Sequence, residues 1–421
     1  MEMILLKQKV KERVGVKQAI QDRIEKINQG IVPEGYKQTI VGIIPKDWGD
    51  KRLEELSLKS GKYGINAAGV DYSEDFPRYL RITDISDEGR YIGKNEKSVD
   101  HKDSQNYLLN VGDIVFARTG NTTGKTYLYE ESDGELVYAG FLIKYSINLE
   151  VANPKLIFYH TQTNRYWNWV KVMSARSGQP GINSKEYNKL SFPLASYMEQ
   201  QKIADILATW DRAIELNESL IKEKVEQKKG LIQKLMSSDY MVGSKKVQLA
   251  DVLDYQQPGK FITNNILEDG KIPVLTANKS FVLGFTDEKK GIYDDYPVII
   301  FDDFTTDIKY VDFPFKVRSS AMKILKLTDG DIADLKYIYE RMTLIKHPRG
   351  SHKRYYISEY QHINVNLPPL AEQKRIANIL STADREIELL KELVEELKEE
   401  KKGLMQLLLT GIIRVKGKND E

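Results

Sequence analysis

The chain has 421 residues, 41% apolar and 29% charged, a balance that fits a water-soluble protein of two or three domains. It contains no cysteine, which excludes disulfides and thiolate metal sites and fits a reducing cytoplasm. With 63 Lys and Arg against 61 Asp and Glu, the net charge is only +2, so any contact with a polyanion has to be local.

Residues 1–34 open the chain. Leu6, Val10, Val14, Ile20, Ile24 and Ile27 recur at helical spacing and predict an N-terminal helix. Lys7, Lys9, Lys11, Glu12 and Arg13 interrupt the apolar residues, so the unbroken core of a signal peptide is missing. No other stretch approaches the roughly 18 apolar residues of a membrane span. The expectation is a soluble, cytoplasmic protein with no membrane partner.

Residues 35–195 read as a first globular segment, mixed α/β and dominated by irregular, largely antiparallel sheet. Asp113 to Ala117 has the apolar run of a buried strand, while Asp133-Gly134 and Pro180-Gly181 signal turns. The polar loop after that strand offers Arg118, Thr119, Asn121 and Lys125 as weaker candidate nucleic-acid contacts, for which a structural role is the competing reading. From Val151 to Lys185 there is no acid, and Lys155, Arg165, Lys171, Arg176 and Lys185 interleave with Tyr159, Tyr166, Trp167 and Trp169. Lys and Arg neutralise phosphates, while Arg, Asn and Gln read base edges. Lys171 and the loop residues Arg176, Ser177, Gln179 and Asn183 are therefore further candidates. The competing reading is a solvated basic face.

Residues 196–243 read as a long helix, residues 244–370 as a second globular segment, and residues 371–421 as a second long helix. Pro297 to Phe301 predicts a buried strand in the second segment, with turn signals at Pro258-Gly259 and Asp269-Gly270. Thr305, Thr306 and Lys309 lie in the polar loop after that strand. Arg341 to Ser358 again lacks acids, and it supplies the candidates Arg349, Ser351, His352, Lys353, Arg354 and Tyr355.

The two halves repeat. Glu199-Gln200-Gln201-Lys202-Ile203-Ala204-Asp205-Ile206-Leu207 returns 173 residues later as Glu372-Gln373-Lys374-Arg375-Ile376-Ala377-Asn378-Ile379-Leu380. The offset holds without a gap from Asp211-Arg212 and Asp384-Arg385 to Lys228-Lys229-Gly230-Leu231 and Lys401-Lys402-Gly403-Leu404. Roughly half the positions from Glu199 to Met236 equal their partners, more than shared helical composition produces. In the second copy Ile376, Leu380, Ala383, Ile387, Leu390, Val394, Leu397, Leu404 and Leu408 form a coiled-coil stripe broken at Lys401. The first copy has Ile203, Leu207, Trp210, Ile214, Ile221, Leu231 and Leu235 there, with polar Asn217, Lys224 and Lys228 in the seam. Polar seam residues fix register at a cost in stability. Each helix would run about 55–60 Å at about 1.5 Å per residue. Upstream, Arg176 pairs with Arg349, and Glu186-Tyr187 with Glu359-Tyr360.

Signs of catalysis fail on inspection. Gly120 to Thr126 is one residue short of a phosphate-binding loop, and strand-like Tyr127-Leu128-Tyr129 follows instead of a helix. Asp312-Phe313-Pro314-Phe315 hints at an amino-methyltransferase tetrapeptide, but no Gly-rich cofactor loop accompanies it. The five histidines lack metal-ligand spacing. No catalytic residue, metal or cofactor is expected.

The layout resembles the specificity subunits of type I restriction-modification systems over nearly the whole chain. The most specific pieces are Leu367-Pro368-Pro369-Leu370-Ala371-Glu372-Gln373 and the Lys-Lys-Gly-Leu near each helix end. Gly42-Ile43-Ile44-Pro45-Lys46-Asp47-Trp48 and Val311-Asp312-Phe313-Pro314-Phe315-Lys316-Val317 are also similar to that family, whereas Leu194-Ala195-Ser196-Tyr197-Met198 departs from its proline-rich approach to the first helix. The resemblance implies an α+β fold with two target recognition domains joined by two long antiparallel coiled-coil helices in a pseudo-two-fold duplication. Each domain would read one half of a bipartite site in double-stranded DNA, and the helices would set the spacing. It implies a non-catalytic subunit that two methyltransferase subunits and motor-nuclease subunits join. S-adenosylmethionine, ATP and magnesium would belong to those partners. A coiled-coil adaptor that binds protein without DNA specificity is the alternative.

Overall fold

The computed structural model describes residues 17–175, 178–237, 243–276, 281–345 and 354–415. Residues 17–28 are helical, and the rest of the expected N-terminal helix lies outside the described residues. The chain divides into two compact units, residues 1–215 with 395–421, and residues 216–394. Each unit combines one globular head with parts of both long helices.

In the first unit, an antiparallel hairpin of Tyr36–Thr39 and Gly42–Pro45 precedes the head. Strand Gly49–Arg52 enters the head and pairs antiparallel with Ser191–Leu194, the strand that leaves it. Between them lies a four-stranded antiparallel sheet in the order Lys62–Tyr63, Leu142–Ser146, Asp113–Ala117, Thr126–Leu128. All five residues of Asp113–Ala117 are buried, as the continuous apolar run required. A second sheet orders Leu136–Tyr138, Arg78–Leu80, Lys97–Ser98 and Val70–Asp71. Helices Pro154–His160 and Asn164–Ser174 cover the first sheet, with Ile114, Phe116, Ile143, Ile157 and Tyr187 in the core between them.

The second unit repeats the plan. Strand Lys245–Gln248 enters the head and pairs antiparallel with the exit strand Asn364–Leu367. The main sheet is again antiparallel, in the order Leu253–Gln256, Met322–Leu327, Val298–Asp302, Ile308–Val311. A smaller sheet holds Ile272–Leu275 between Val282–Thr286 and Lys316–Val317. Helix Leu335–Thr343 buries Leu335, Tyr337, Ile338 and Met342.

The long helices span Tyr197–Leu235 and Leu370–Leu409, shorter at their C-terminal ends than the sequence suggests. The second one stops where Gly411 takes a φ of 69°, a left-handed conformation that glycine adopts without penalty. In each unit the helices run antiparallel. In the first, Lys401 Nζ lies 2.6 Å from Asp211 Oδ1; in the second, Lys228 Nζ lies 2.6 Å from Asp384 Oδ1. These two ion pairs are each other's repeat equivalents, so the seam lysines fix the same register twice. Lys224 adds a pair to Glu386 at 2.6 Å.

A buried glutamine ties each head to its helix. Gln200 accepts the backbone N–H of Asn153 at 2.9 Å and donates to the carbonyl of Ala195 at 3.0 Å. Its repeat equivalent Gln373 accepts from Asp334 N at 2.9 Å and donates to Pro368 O at 2.8 Å. Asn153 and Asp334 are the N-caps of the head helices starting at Pro154 and Leu335, so each glutamine holds an otherwise orphaned helix start. Both glutamines are essentially sealed from water, at 1% and 0% exposure.

The repeat breaks at the preceding residue. Glu199 is buried and accepts from Trp48 Nε1, from Arg414 Nε and Nη2, and from Val415 N. Its counterpart Glu372 instead accepts from Arg375 Nε and Nη2, three residues along its own helix. Burial pushes the Glu199 carboxyl up, but the Arg414, Trp48 and Val415 bonds outweigh it and leave the pKa below its ordinary 4.5. The carboxylate's contribution is therefore complete above pH 4.5 and lost as pH falls through the lowered folded-state value. Glu199→Gln should destabilise the protein by about 2 kcal/mol at neutral pH by removing the buried carboxylate from Arg414, which keeps only its pair with the exposed Asp47, and should flatten the acid limb of stability, both measurable by urea unfolding against pH. In the same head, Asn183 caps helix Ser184–Asn188 by accepting from Glu186 N. Asn183→Ala should cost about 1 kcal/mol in that assay.

Candidate nucleic-acid interface

The polar loop after the central strand and the acid-free segment are far apart in sequence, and the fold joins them. In the first head, Arg118 N donates to Phe141 O at 3.0 Å, and Ile182 N donates to Arg118 O at 2.9 Å. Gly120 N reaches Pro180 O at 3.0 Å, and Thr119 bridges Gly181. Close approach explains the small residues here: a Cβ on Gly181 would come within 3.1 Å of Arg118 O, and one on Gly120 within 3.3 Å of Gln179 Nε2. Gly120 also holds a φ of 74°.

Around this junction Asn121 and Gln179 are exposed, while Arg118 and Thr119 are half-buried. The Arg118 guanidinium lies 4.9 Å from the Tyr63 ring centre, within cation–π range. The Tyr63 hydroxyl accepts from Ser184 N at 3.1 Å. Burial raises the Tyr63 phenol, but the Ser184 bond and Arg118 bring it below its ordinary 10. Lys171 is exposed on helix Asn164–Ser174. Lys125 is held back from the rim: its Nζ sits 2.7 Å from Asp87 Oδ1. Asn183 spends its side-chain oxygen on the helix cap described above. Arg176 and Ser177 lie outside the described residues.

The second head makes the same junction with different residues. Asp302 Oδ1 accepts from Phe304 N at 2.8 Å and Thr305 N at 3.3 Å, closing a tight turn in which Thr306 has a φ of 59°. Tyr355 N donates to Asp303 O at 3.0 Å, and Tyr356 N to Asp303 Oδ1 at 2.9 Å. Asp303 Oδ2 faces Lys323 Nζ at 3.6 Å, with both side chains 1% exposed. A buried pair of this kind holds geometry rather than adding stability, since desolvation offsets most of the attraction. Arg354 is exposed beside it, and Lys309 is exposed with its Nζ 5.9 Å from the Phe281 ring centre. Thr305 and Thr306 are half-buried. Tyr355 is 5% exposed, so its ring packs within the head. Arg349, Ser351, His352 and Lys353 lie outside the described residues.

The sequence singled out each of these segments separately, but not their junction, nor Tyr63, nor the Asp303–Lys323 pair. Tyr63 is set between Gly61 and Gly64, where a Cβ would collide with Tyr145 and with the Ala139 backbone. That glycine bracket was the available signal. Nothing local marks Lys323, which sits on a strand distant in sequence from Asp303. Among the described residues, no cluster of three or more His, Asp or Glu could hold a metal ion, and no helix is long and apolar enough to cross a membrane.

The family model for the type I restriction modification DNA specificity domain matches residues 45–227 and again 241–399. The type I restriction enzyme EcoR124I/EcoR124II specificity subunit of Escherichia coli is 41% identical over 167 residues, a match that spans 37% of this chain and 41% of that relative. The type I restriction enzyme MjaVIII specificity subunit of Methanocaldococcus jannaschii is 23% identical over 429 residues, 92% of this chain and 97% of the relative. Among solved structures, the type I restriction-modification S subunit from M. genitalium shares the fold with a TM-score of 0.59 and 14% identity, over 86% of this chain and 96% of that one. With both halves of the duplication matched, the chain belongs to the type I restriction-modification DNA specificity family.

Proposed function

We propose that this chain is the sequence-reading subunit of a type I restriction-modification enzyme, with each head reading one half of a bipartite site in double-stranded DNA. The observation that carries the reading is the repeated junction. In both heads an acid-free segment is hydrogen-bonded to the turn at the end of the central strand, through Arg118 and Ile182 in one and Asp303 and Tyr355 in the other. Two such rims with different side chains suit a non-palindromic site. The paired helices set the distance between half-sites and carry two methyltransferase subunits, which motor-nuclease subunits join. The chain itself performs no catalysis, and the complex works in the cytoplasm. An adaptor that binds only protein would have no use for these rims.

Binding of the assembled complex to its site, found by mapping methylated adenines in the source genome, tests the reading. Affinity should fall steeply with salt. Arg118→Ala and Arg354→Ala should each cost about 1–3 kcal/mol, and base preference should relax in a different half-site for each. A pair of variants that relaxed the same half-site would sink the assignment of one head to one half. Removing a heptad from each long helix, about 10 Å of length, should shift the preferred spacer. An unchanged spacer would contradict the measuring role of the helices.

A further inference from the structure

Neither basic charge nor hydrogen bonding accounts for the most exposed aromatic residue at each rim. Phe141 is 57% exposed and Phe304 is 43% exposed. Leaving such a ring in water forgoes roughly 1.5–3 kcal/mol of burial, although one exposed ring alone would need no explanation. Their placement does. Phe141 precedes strand Leu142–Ser146, whose Leu142 pairs with Ala117 at the end of the central strand. The Phe141 carbonyl accepts the Arg118 N–H. Phe304 stands two residues beyond the equivalent central strand Val298–Asp302, in the turn closed by Asp302 and next to Asp303, which receives the Tyr355 N–H. The two positions are not equivalents in the amino-acid repeat. Each head has nevertheless put a phenylalanine at the same end of the same strand, beside the joined loops.

Both backbones are tied to their surroundings at these positions. Gly140 before Phe141 lies against the carbonyl of Ile65, where a Cβ would come within 3.3 Å, and the Phe304 amide is bonded to Asp302. An exposed apolar ring on a rim that also carries Arg118 or the exposed Arg354 matches the apolar wedges that DNA-binding surfaces insert between base steps. We infer that Phe141 and Phe304 make the apolar base contacts of their respective half-sites, a deepening that rests on the DNA-reading role proposed above. They supply affinity that salt does not screen, alongside the salt-dependent contribution of Arg118 and Arg354.

The test uses the assembled complex and duplexes carrying the site mapped by adenine methylation, with 2-aminopurine placed in one half-site at a time. Phe141→Ala should weaken binding about tenfold, as loss of one aromatic–base contact does, with the slope of log affinity against log salt unchanged. It should also abolish the 2-aminopurine fluorescence change in the first half-site only; Phe304→Ala should do the same in the second. Phe141→Tyr and Phe304→Tyr should restore most of the affinity. Thermal unfolding of each Ala variant serves as the folding control, and a ring so exposed should leave the midpoint unchanged. Unaltered affinity in both Ala variants, or a loss that appears only as a shallower salt slope, overturns the inference. If the unmodified complex shows no preference for the mapped site, the DNA-reading role itself fails instead.

Discussion

The pairing of Asp211 with Lys401, and of Asp384 with Lys228, is the constraint on which the rest depends. Two long amphipathic helices of similar sequence can pack in several registers and in either direction, because leucine and isoleucine seams discriminate poorly among them. A lysine in the seam is costly unless an acid meets it. Lys401 meets Asp211, and Lys228 meets Asp384, when the helices run antiparallel in this register; Lys228 also reaches the buried Glu340 of head helix Leu335–Thr343 at 3.1 Å. Neighbouring groups reinforce the choice: Tyr159 donates to Asp211 at 2.8 Å, and Lys336 reaches Asp384 at 2.8 Å. Burial alone would raise the Asp384 carboxyl, but Lys228 and Lys336 hold it below its ordinary 3.8, so it is ionised where it is needed. The heads thus contribute to the lock that orders the helices.

Gln200 and Gln373 carry that order outward. A neutral amide can satisfy a helix-start N–H and a strand-end carbonyl at once without the desolvation cost of a charge. The same side chain therefore fixes the direction of the head helix and the exit strand relative to the long helix. Where the repeat is broken, at Glu199, a charged knot with Arg414, Trp48 and Asp47 serves the first unit instead. Duplication supplied two copies of the frame, and divergence reassigned one of its contacts.

Much of this was legible in the amino-acid sequence because repetition is a signal that needs no alignment. The constant offset of 173 residues exposed the duplicated helices, and Lys224, Lys228 and Lys401 were visible as breaks in the seams. Their partners were not, since Asp211 and Asp384 lie off the apolar stripe and look like solvated acids. The strands Asp113–Ala117 and Val298–Asp302 could be read from their apolar runs. The acid-free segments stood out by their charge, but their junction with the turn after the central strand did not, because backbone hydrogen bonds make it. The individual roles did not follow from charge either: Asn183 is occupied as a cap, Lys125 is bound to Asp87, and Tyr355 is turned inward. A side chain's duty depends on its neighbours in space, and residue type reports only what it is able to do.

The strand pairs at the base of each head have a wider consequence. Gly49 faces Leu194 and Lys245 faces Leu367, so the chain enters and leaves each head through adjacent positions on one two-stranded ladder. Whatever is threaded between those rungs need only begin and end side by side. A head could then be exchanged as a cassette, of other length and inner topology, without disturbing the frame that carries it. Such an architecture leaves the outer surface of a head free to vary while the ladder that roots it stays the same.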